Sequence, residues 1–332
     1  MSAIRRCLRA GIAGVLLLSL TGCQHPSDFQ RTDIPAEDTT QEEYAFETQA
    51  ALGSDRILAF WEAEEDQEPE LPRFWEAPDP EDTIWAITPD NRGEVWDRQE
   101  QNPDTAGWLY IPGTEVDEVV LKNPVDKSND YYLNRSFDGG PDPNGTFCID
   151  RRASIGSGTR GGLSRNTTIY GHSWDDDPDG TLFSQLKRYR DEDFAREHPY
   201  LFFSTGSEDM AWEVFAVFDT VTDLLYNVPN LNDNEFFDVL DIVEQASLYS
   251  YNVAVGPADK ILTLSTCTFS VEGHGELPPV NNYRFVIMAR LMDPDEIFAD
   301  EAVFAVNGDP ISPDEIGELL DGGAMRGYAF GV

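Results

Sequence analysis

The run Ile261-Leu262-Thr263-Leu264-Ser265-Thr266-Cys267 constrains this chain most, because it is an apolar, β-prone stretch that ends on a single thiol. Its Ile, Leu and Thr side chains suit a pleated, half-buried strand. Cys267 then stands where a strand gives way to a loop, held from behind and open in front. A thiol is a useful nucleophile when it is partly exposed and a nearby positive charge stabilises its thiolate. Two other strand-like runs offer partners. Asn166-Thr167-Thr168-Ile169-Tyr170-Gly171-His172 ends in an imidazole, and Tyr283-Arg284-Phe285-Val286-Ile287-Met288-Ala289-Arg290-Leu291 opens with a guanidinium close behind its first residue. Alone, Cys267 reads as a buried structural thiol. With His172 and Arg284 at two more strand edges, the three make a candidate acyl-transfer site, expected at the mouth of a barrel.

From Gly107 onward, short strands alternate with turns. Gly107–Ile111 and Val116–Leu121 flank a Pro112-Gly113 turn; Gly145–Asp150, Thr167–Tyr170, Tyr200–Phe203, Trp212–Val221, Ile261–Thr266 and Arg284–Leu291 follow. Eight strands predict a mainly β fold, a closed or nearly closed barrel with insertions. One insertion is helical. Asn232 can cap it with Glu235 three residues on, and Phe236, Phe237, Leu240 and Val243 fall on one face.

The segments TLSTC and YRFVIMARL, with NTTIYGH ahead of both, resemble the sortases, and class B sortases in particular. Ala106–Thr114, Asn129–Leu133 and the run from Gly171 through His198 to Phe203 are similar to that family in the same order, so the likeness spans roughly residues 105 to 292. It implies an eight-stranded sortase-type β-barrel, N-terminal helices packed against it, and a helix inserted between late strands. It also implies a cysteine transpeptidase with Cys267 as nucleophile, His172 as proton carrier and Arg284 as donor to the oxyanion or the substrate backbone. Asn129 and Leu133 match positions lining the sorting-peptide groove. Tyr170 and Ser265 stand two residues before His172 and Cys267, which places each on the same strand face as its neighbour. Of the other histidines, His25 lies near the N-terminus, His198 precedes Pro199 and reads as structural, and His274 follows Cys267 in a loop. Arg290 has the spacing to share a face with Arg284 but stands far along the strand.

The implied reaction cuts a pentapeptide sorting signal of the NPxTN or xPxTG kind after its Thr. It then joins the Thr carboxyl to an amine of peptidoglycan or its lipid-linked precursor. No cofactor and no metal are implied. The same chemistry would serve a pilin polymerase that accepts a pilin lysine, or a hydrolytic cysteine peptidase. An acidic surface lipoprotein using the barrel only as a scaffold is the non-enzymatic alternative.

The chain carries 62 acidic against 23 basic residues, a formal net charge of −39, which excludes nucleic acid as a partner because phosphates require a basic surface. Such acidity reads as a solvated, self-repelling surface. Arg5, Arg6 and Arg9, the short apolar run Ala10–Leu20, and a lipobox-like Leu20-Thr21-Gly22-Cys23 predict a signal peptide over 1–22 with lipidation at Cys23. That would tether the protein at the outer face of the cytoplasmic membrane, an uncleaved signal anchor being the alternative. Residues 23–40 read as a flexible tether. Residues 41–104 form an acidic helical region with a helix near 41–64 and Trp75, Trp85 and Trp96 packing onto the catalytic domain at 105–292; residues 293–332 form an acidic appendage with a short helix near Ile311–Leu320. Cys7 and Cys23 belong to the signal, so only Cys148 and Cys267 remain in the folded part, and they are expected to stand apart rather than bridged.

Overall fold

Twelve strands and four α-helices organise the chain in a computed structural model that describes residues 88–271, 275–276 and 282–322. The signal segment, Cys23, the tether, the helix expected near 41–64, Trp75, Trp85 and His274 lie outside the described residues. The strands are β1 (Thr105–Tyr110), β2 (Asp117–Lys122), β3 (Cys148–Ile149), β4 (Asn166–Tyr170), β5 (Tyr200–Ser204) and β6 (Ala211–Val221), followed by β7 (Tyr249–Tyr251), β8 (Ile261–Cys267), β9 (Ser270–Val271), β10 (Gly275–Glu276), β11 (Tyr283–Leu291) and β12 (Phe304–Val306). Eight of them close a barrel in the order β1-β2-β3-β4-β8-β11-β6-β5, as the eight-strand reading expects. Two neighbour pairs are parallel, β2 with β3 and β4 with β8; the rest are antiparallel. The third strand is shorter than Gly145–Asp150. Gly145 takes a positive φ of 61°, and a Cβ there would lie 2.3 Å from the Leu133 carbonyl oxygen, so the chain turns at this point instead of pairing.

Alternation along each strand sorts its side chains between the barrel interior and the outer wall. Leu262, Leu264, Phe285, Ile287, Ile169, Phe203 and Trp212 fill the interior. Ile261, Val286, Met288 and Phe218 face outward, where α3 (Asp233–Ala246) covers them with Phe236, Val239 and Val243. The consequence for β8 is direct: Ile261, Thr263, Ser265 and Cys267 share the outer face. Cys267 therefore stands on the outer wall near one end of the barrel, not in its mouth, because the interior positions of β8 are taken by leucine.

The helices are anchored by local chemistry. The helix α1 (Arg92–Gln101) buries Val95 and leaves Trp96 57% exposed, with the indole close over Gly206, where a Cβ would come within 2.8 Å of Nε1. The short α2 (Glu192–Glu197) is capped by Asp191, which accepts from the Phe194 N–H at 2.9 Å. The expected capping box opens α3: Asn232 Oδ1 accepts from the Glu235 N–H at 3.1 Å, and Glu235 accepts from the Asn232 N–H at 3.1 Å. At the C-terminal side, α4 (Pro313–Gly322) begins behind Ser312 and Glu315, which bond each other in the same reciprocal way, and Ile316 joins the outer-wall cluster. The Asn232→Ala variant should unfold about 1 kcal/mol more easily. A fall in the denaturant midpoint with an unchanged slope checks this.

Candidate active site

The barrel register brings two of the three predicted catalytic residues to adjacent strands, and the third follows the end of a strand that pairs with one of them. Arg284 is the direct partner of Cys267 across the antiparallel β8–β11 pair. Residues so opposed carry their side chains on one face with Cβ atoms about 4.5–5.5 Å apart. On the other side of β8, the parallel β4 sets Tyr170 level with Ser265. The contact continues past the strand: the Gly171 N–H reaches the Ser265 carbonyl at 3.4 Å, and Thr266 Oγ1 donates to the Gly171 carbonyl at 2.8 Å. His172 follows Tyr170 by two residues and Cys267 follows Ser265 by two. A guanidinium and a thiol thus stand opposite each other across β8 and β11, and the imidazole follows just past the end of the neighbouring β4.

Gly171, just before His172, leaves no room for a side chain. A Cβ at that position would lie 2.6 Å from the rings of both Phe147 and Phe183, which stack on each other at 4.3 Å. His172 is held by its backbone and its ring. Its carbonyl accepts from the Phe183 N–H at 2.9 Å, and Nε2–H donates to the Leu133 carbonyl at 2.8 Å. The ring also stacks on Trp174 at 5.1 Å, an indole that stays 53% exposed. Arg284 Nη1 donates to the Tyr283 carbonyl at 2.8 Å. Arg290 is placed differently: Glu213 and Glu296 pair with it at 2.9 and 2.7 Å at the far end of β11, a structural assignment. His198 is also structural, with Nδ1–H donating to the Phe194 carbonyl at 2.9 Å.

The two thiols are free and differ in kind. Cys148 is fully buried, and burial pushes its thiol up to about 12, so it stays protonated and inert. Cys267 is partly exposed. Tyr226, which the sequence reading did not single out, senses the site. Burial raises its hydroxyl, while the bond with Ser265 and the Arg284 charge lower it. Its OH meets Ser265 Oγ at 3.0 Å.

The four residues expected to meet substrate are each engaged internally. Asn129 Nδ2 donates to Asp150 Oδ2 at 2.8 Å, and its Oδ1 accepts from the Arg151 N–H at 2.7 Å. Tyr170 OH donates to the same Asp150 oxygen at 2.8 Å and accepts from Asn227 at 2.9 Å. Burial alone would raise the Asp150 carboxyl, but its bonds from Arg152, followed by Tyr170, hold it below the usual carboxylate range. Ser265 is buried against Tyr226, and Leu133 lends its carbonyl to His172 while its side chain packs near Val119, Leu121 and Tyr132. Among the described residues, no group of three His, Cys, Asp or Glu side chains is placed to hold a metal ion.

Under the loop leaving β8 lies a group of charges that sequence reasoning missed, because four charged residues spread over 44 positions carry no local pattern. Lys187 pairs with Asp176 at 3.0 Å, and Arg190 with Asp219 at 2.8 Å. The two carboxylates respond oppositely. Asp219, with a side chain only 5% exposed, is pushed up to about 6 by burial, which outweighs Arg190 and Lys187. Asp176 is more open at 17%, and there Lys187 and the bonds from Ser270 and Phe269 outweigh burial and lower it.

This site and fold belong to a known class: the chain belongs to the sortase family of cysteine transpeptidases, and within it to class B. The model of the sortase domain matches residues 109–292. Sortase B of Listeria monocytogenes is 38% identical over 179 residues, covering 53% of this chain and 68% of that protein. Sortase B of Staphylococcus aureus is 30% identical over 167 residues, covering 50% of this chain and 64% of that protein. Among solved structures, a Staphylococcus aureus sortase B–substrate complex superposes with a TM-score of 0.51 at 27% identity, covering 61% of this chain and 87% of that one.

Two outcomes are expected. The Gly171→Ala variant, which drives a methyl into two stacked rings, should lose about 1–3 kcal/mol of stability, readable by chemical denaturation. The second concerns pH. Because the folded state holds the Asp219 proton more tightly than the unfolded chain, this group's contribution is full below about pH 4 and is lost as pH rises through about 6. Stability of the wild type should therefore fall across that window relative to Asp219→Asn, by at most roughly 1.4 kcal/mol per pH unit. Urea titrations of both proteins at pH 4, 5, 6 and 7 measure the difference.

Proposed function

We propose that this sortase cleaves a C-terminal sorting signal of the NPxTN or xPxTG type in secreted proteins and transfers the Thr acyl group to an amine of peptidoglycan or its lipid-linked precursor. The observation that carries the reading is the register pairing of Arg284 with Cys267, on a strand whose other neighbour, β4, is followed two residues on by His172. The Cys267 thiolate attacks the Thr carbonyl carbon, and the oxygen becomes an oxyanion beside the Arg284 guanidinium, a donor suited to that task. The peptide C–N bond then breaks, the leaving amine takes its proton from His172, and a thioester remains on Cys267. An incoming amine gives a proton to His172 and attacks the thioester. The new C–N bond forms as the C–S bond breaks, and the thiolate returns. A sulfur that both attacks and leaves well suits this exchange better than an alkoxide.

Lipidation at Cys23, with the protein held at the outer face of the cytoplasmic membrane, fits a substrate class met after export. An uncleaved signal anchor would serve the same placement. Incorporation of labelled palmitate that is lost in Cys23→Ala distinguishes the two.

The direct test is a fluorogenic peptide bearing the motif, incubated with and without an added amine. Cleavage should vanish in Cys267→Ala and His172→Ala, and fall by about 10²–10³-fold in Arg284→Ala. A ligated product in the presence of amine supports transfer. Hydrolysed peptide as the only product at saturating amine would instead identify a peptidase.

A further inference from the structure

One buried cation ties together the two chain segments that carry the imidazole and the thiol. Lys187 sits in the 3-10 stretch Leu182–Arg190, and its side chain is 1% exposed. Its Nζ donates to the Cys267 carbonyl at 2.8 Å and to Ser173 Oγ at 3.4 Å, and it pairs with Asp176 Oδ1 at 3.0 Å. An ammonium has three protons to give, and these partners account for all of them.

Asp176 closes the contact from the opposite side. Its Oδ2 accepts from the Phe269 N–H at 2.9 Å, the Ser270 N–H at 2.6 Å and the Ser270 hydroxyl at 2.8 Å. Arg190 adds bonds to Thr268 Oγ1 at 3.1 Å and to the Ser270 carbonyl at 3.2 Å. Residues 173–176 follow directly on His172, and residues 267–270 begin at Cys267. Among the described residues, every polar partner of Lys187 lies in one segment or the other. A fully buried ammonium is costly unless its bonds are complete, and apolar residues would fill such a space at least as well for stability alone. A cation here that, among the described residues, bonds the two active-site segments and nothing else is placed to serve their mutual geometry.

We propose that Lys187 and Asp176 are positioning residues for transpeptidation: they clasp the segment after Cys267 to the segment after His172, so that thiol and imidazole keep one reactive separation. The proposal rests on the reading of Cys267 as nucleophile and His172 as proton carrier. Without the clasp the two segments move independently, and a misplacement near 1 Å costs about 10²-fold in rate. Because neither residue meets the substrate in this scheme, the loss falls on kcat and leaves KM nearly unchanged.

The test uses the full chain in three variants: Lys187→Met, which keeps the stem and removes the donors, Asp176→Asn, which keeps the shape and removes the charge, and the double variant. Steady-state kinetics with the motif peptide and an amine are expressed per folded molecule, the folded fraction being read from near-UV circular dichroism. A fall in kcat of tenfold or more in each single variant is expected, with KM within threefold and the double variant no slower than the slower single one, as two parts of one device require. A kcat per folded molecule within tenfold of the wild type, or a rise in KM with kcat intact, overturns the proposal. Should Lys187→Met fail to fold, Asp176→Asn decides alone by the same limits. Cys267→Ala separates the two levels: activity remaining there defeats the nucleophile assignment, whereas an inactive Cys267→Ala beside unimpaired clasp variants defeats the clasp only.

Discussion

The seating of β8 between an antiparallel β11 and a parallel β4 is the constraint on which the rest of this protein depends. Side chains alternate with a period of two, so a slip of one residue in either pairing would turn Cys267 away from Arg284 or His172 and point leucine outward. The apolar pattern guards against that slip. Leu262 and Leu264 belong to the interior cluster and Ile261 to the cluster under α3, and neither set can exchange places without exposing leucine or burying a thiol and a guanidinium. The chemistry at the end of β8 is therefore fixed by hydrophobic burial along its length.

Charge is distributed against the composition. The chain has only 23 basic residues among 62 acidic ones, yet Lys187, Arg190 and Arg284 all gather around the end of β8. Their bonds are unequal in kind. Lys187 and Arg190 are held by buried or half-buried carboxylates and main-chain carbonyls, whereas the acids on the exposed surface face water, where a pair contributes little. Local placement, and not net charge, decides what a developing thiolate or oxyanion would meet.

Much of the barrel was legible in the sequence, as were the two candidate residues, Cys267 and Arg284, that the β8–β11 register sets opposite each other. Strands of five or more residues with clear alternation, such as Ile261–Cys267 and Tyr283–Leu291, announce themselves, as does a capping box like Asn232 with Glu235. Cys148–Ile149 did not, since its length is set by the turn at Gly145 and its contact with Leu133, which no window on the chain reveals. The placement of Cys267 on the outer wall follows from which face of β8 the helix covers, a tertiary fact. Asn129 reads as a groove residue from the family resemblance and Tyr170 as sharing a face with His172 from its spacing; that both also converge on Asp150, a buried carboxylate, is invisible until the fold brings them together. Lys187 stands in a run of charges, Lys187, Arg188 and Arg190, that looks like a solvated face. Only in the fold does the first of these turn inward.

The outward placement of the thiol has a consequence for how such a molecule can diversify. Packing of the barrel interior and shaping of the reaction surface draw on different residues of the same strands, even positions of β8 for the first and odd positions for the second. A lineage could remodel what surrounds the sulfur, by changing α3 or the loops beside β4, while inheriting its interior untouched.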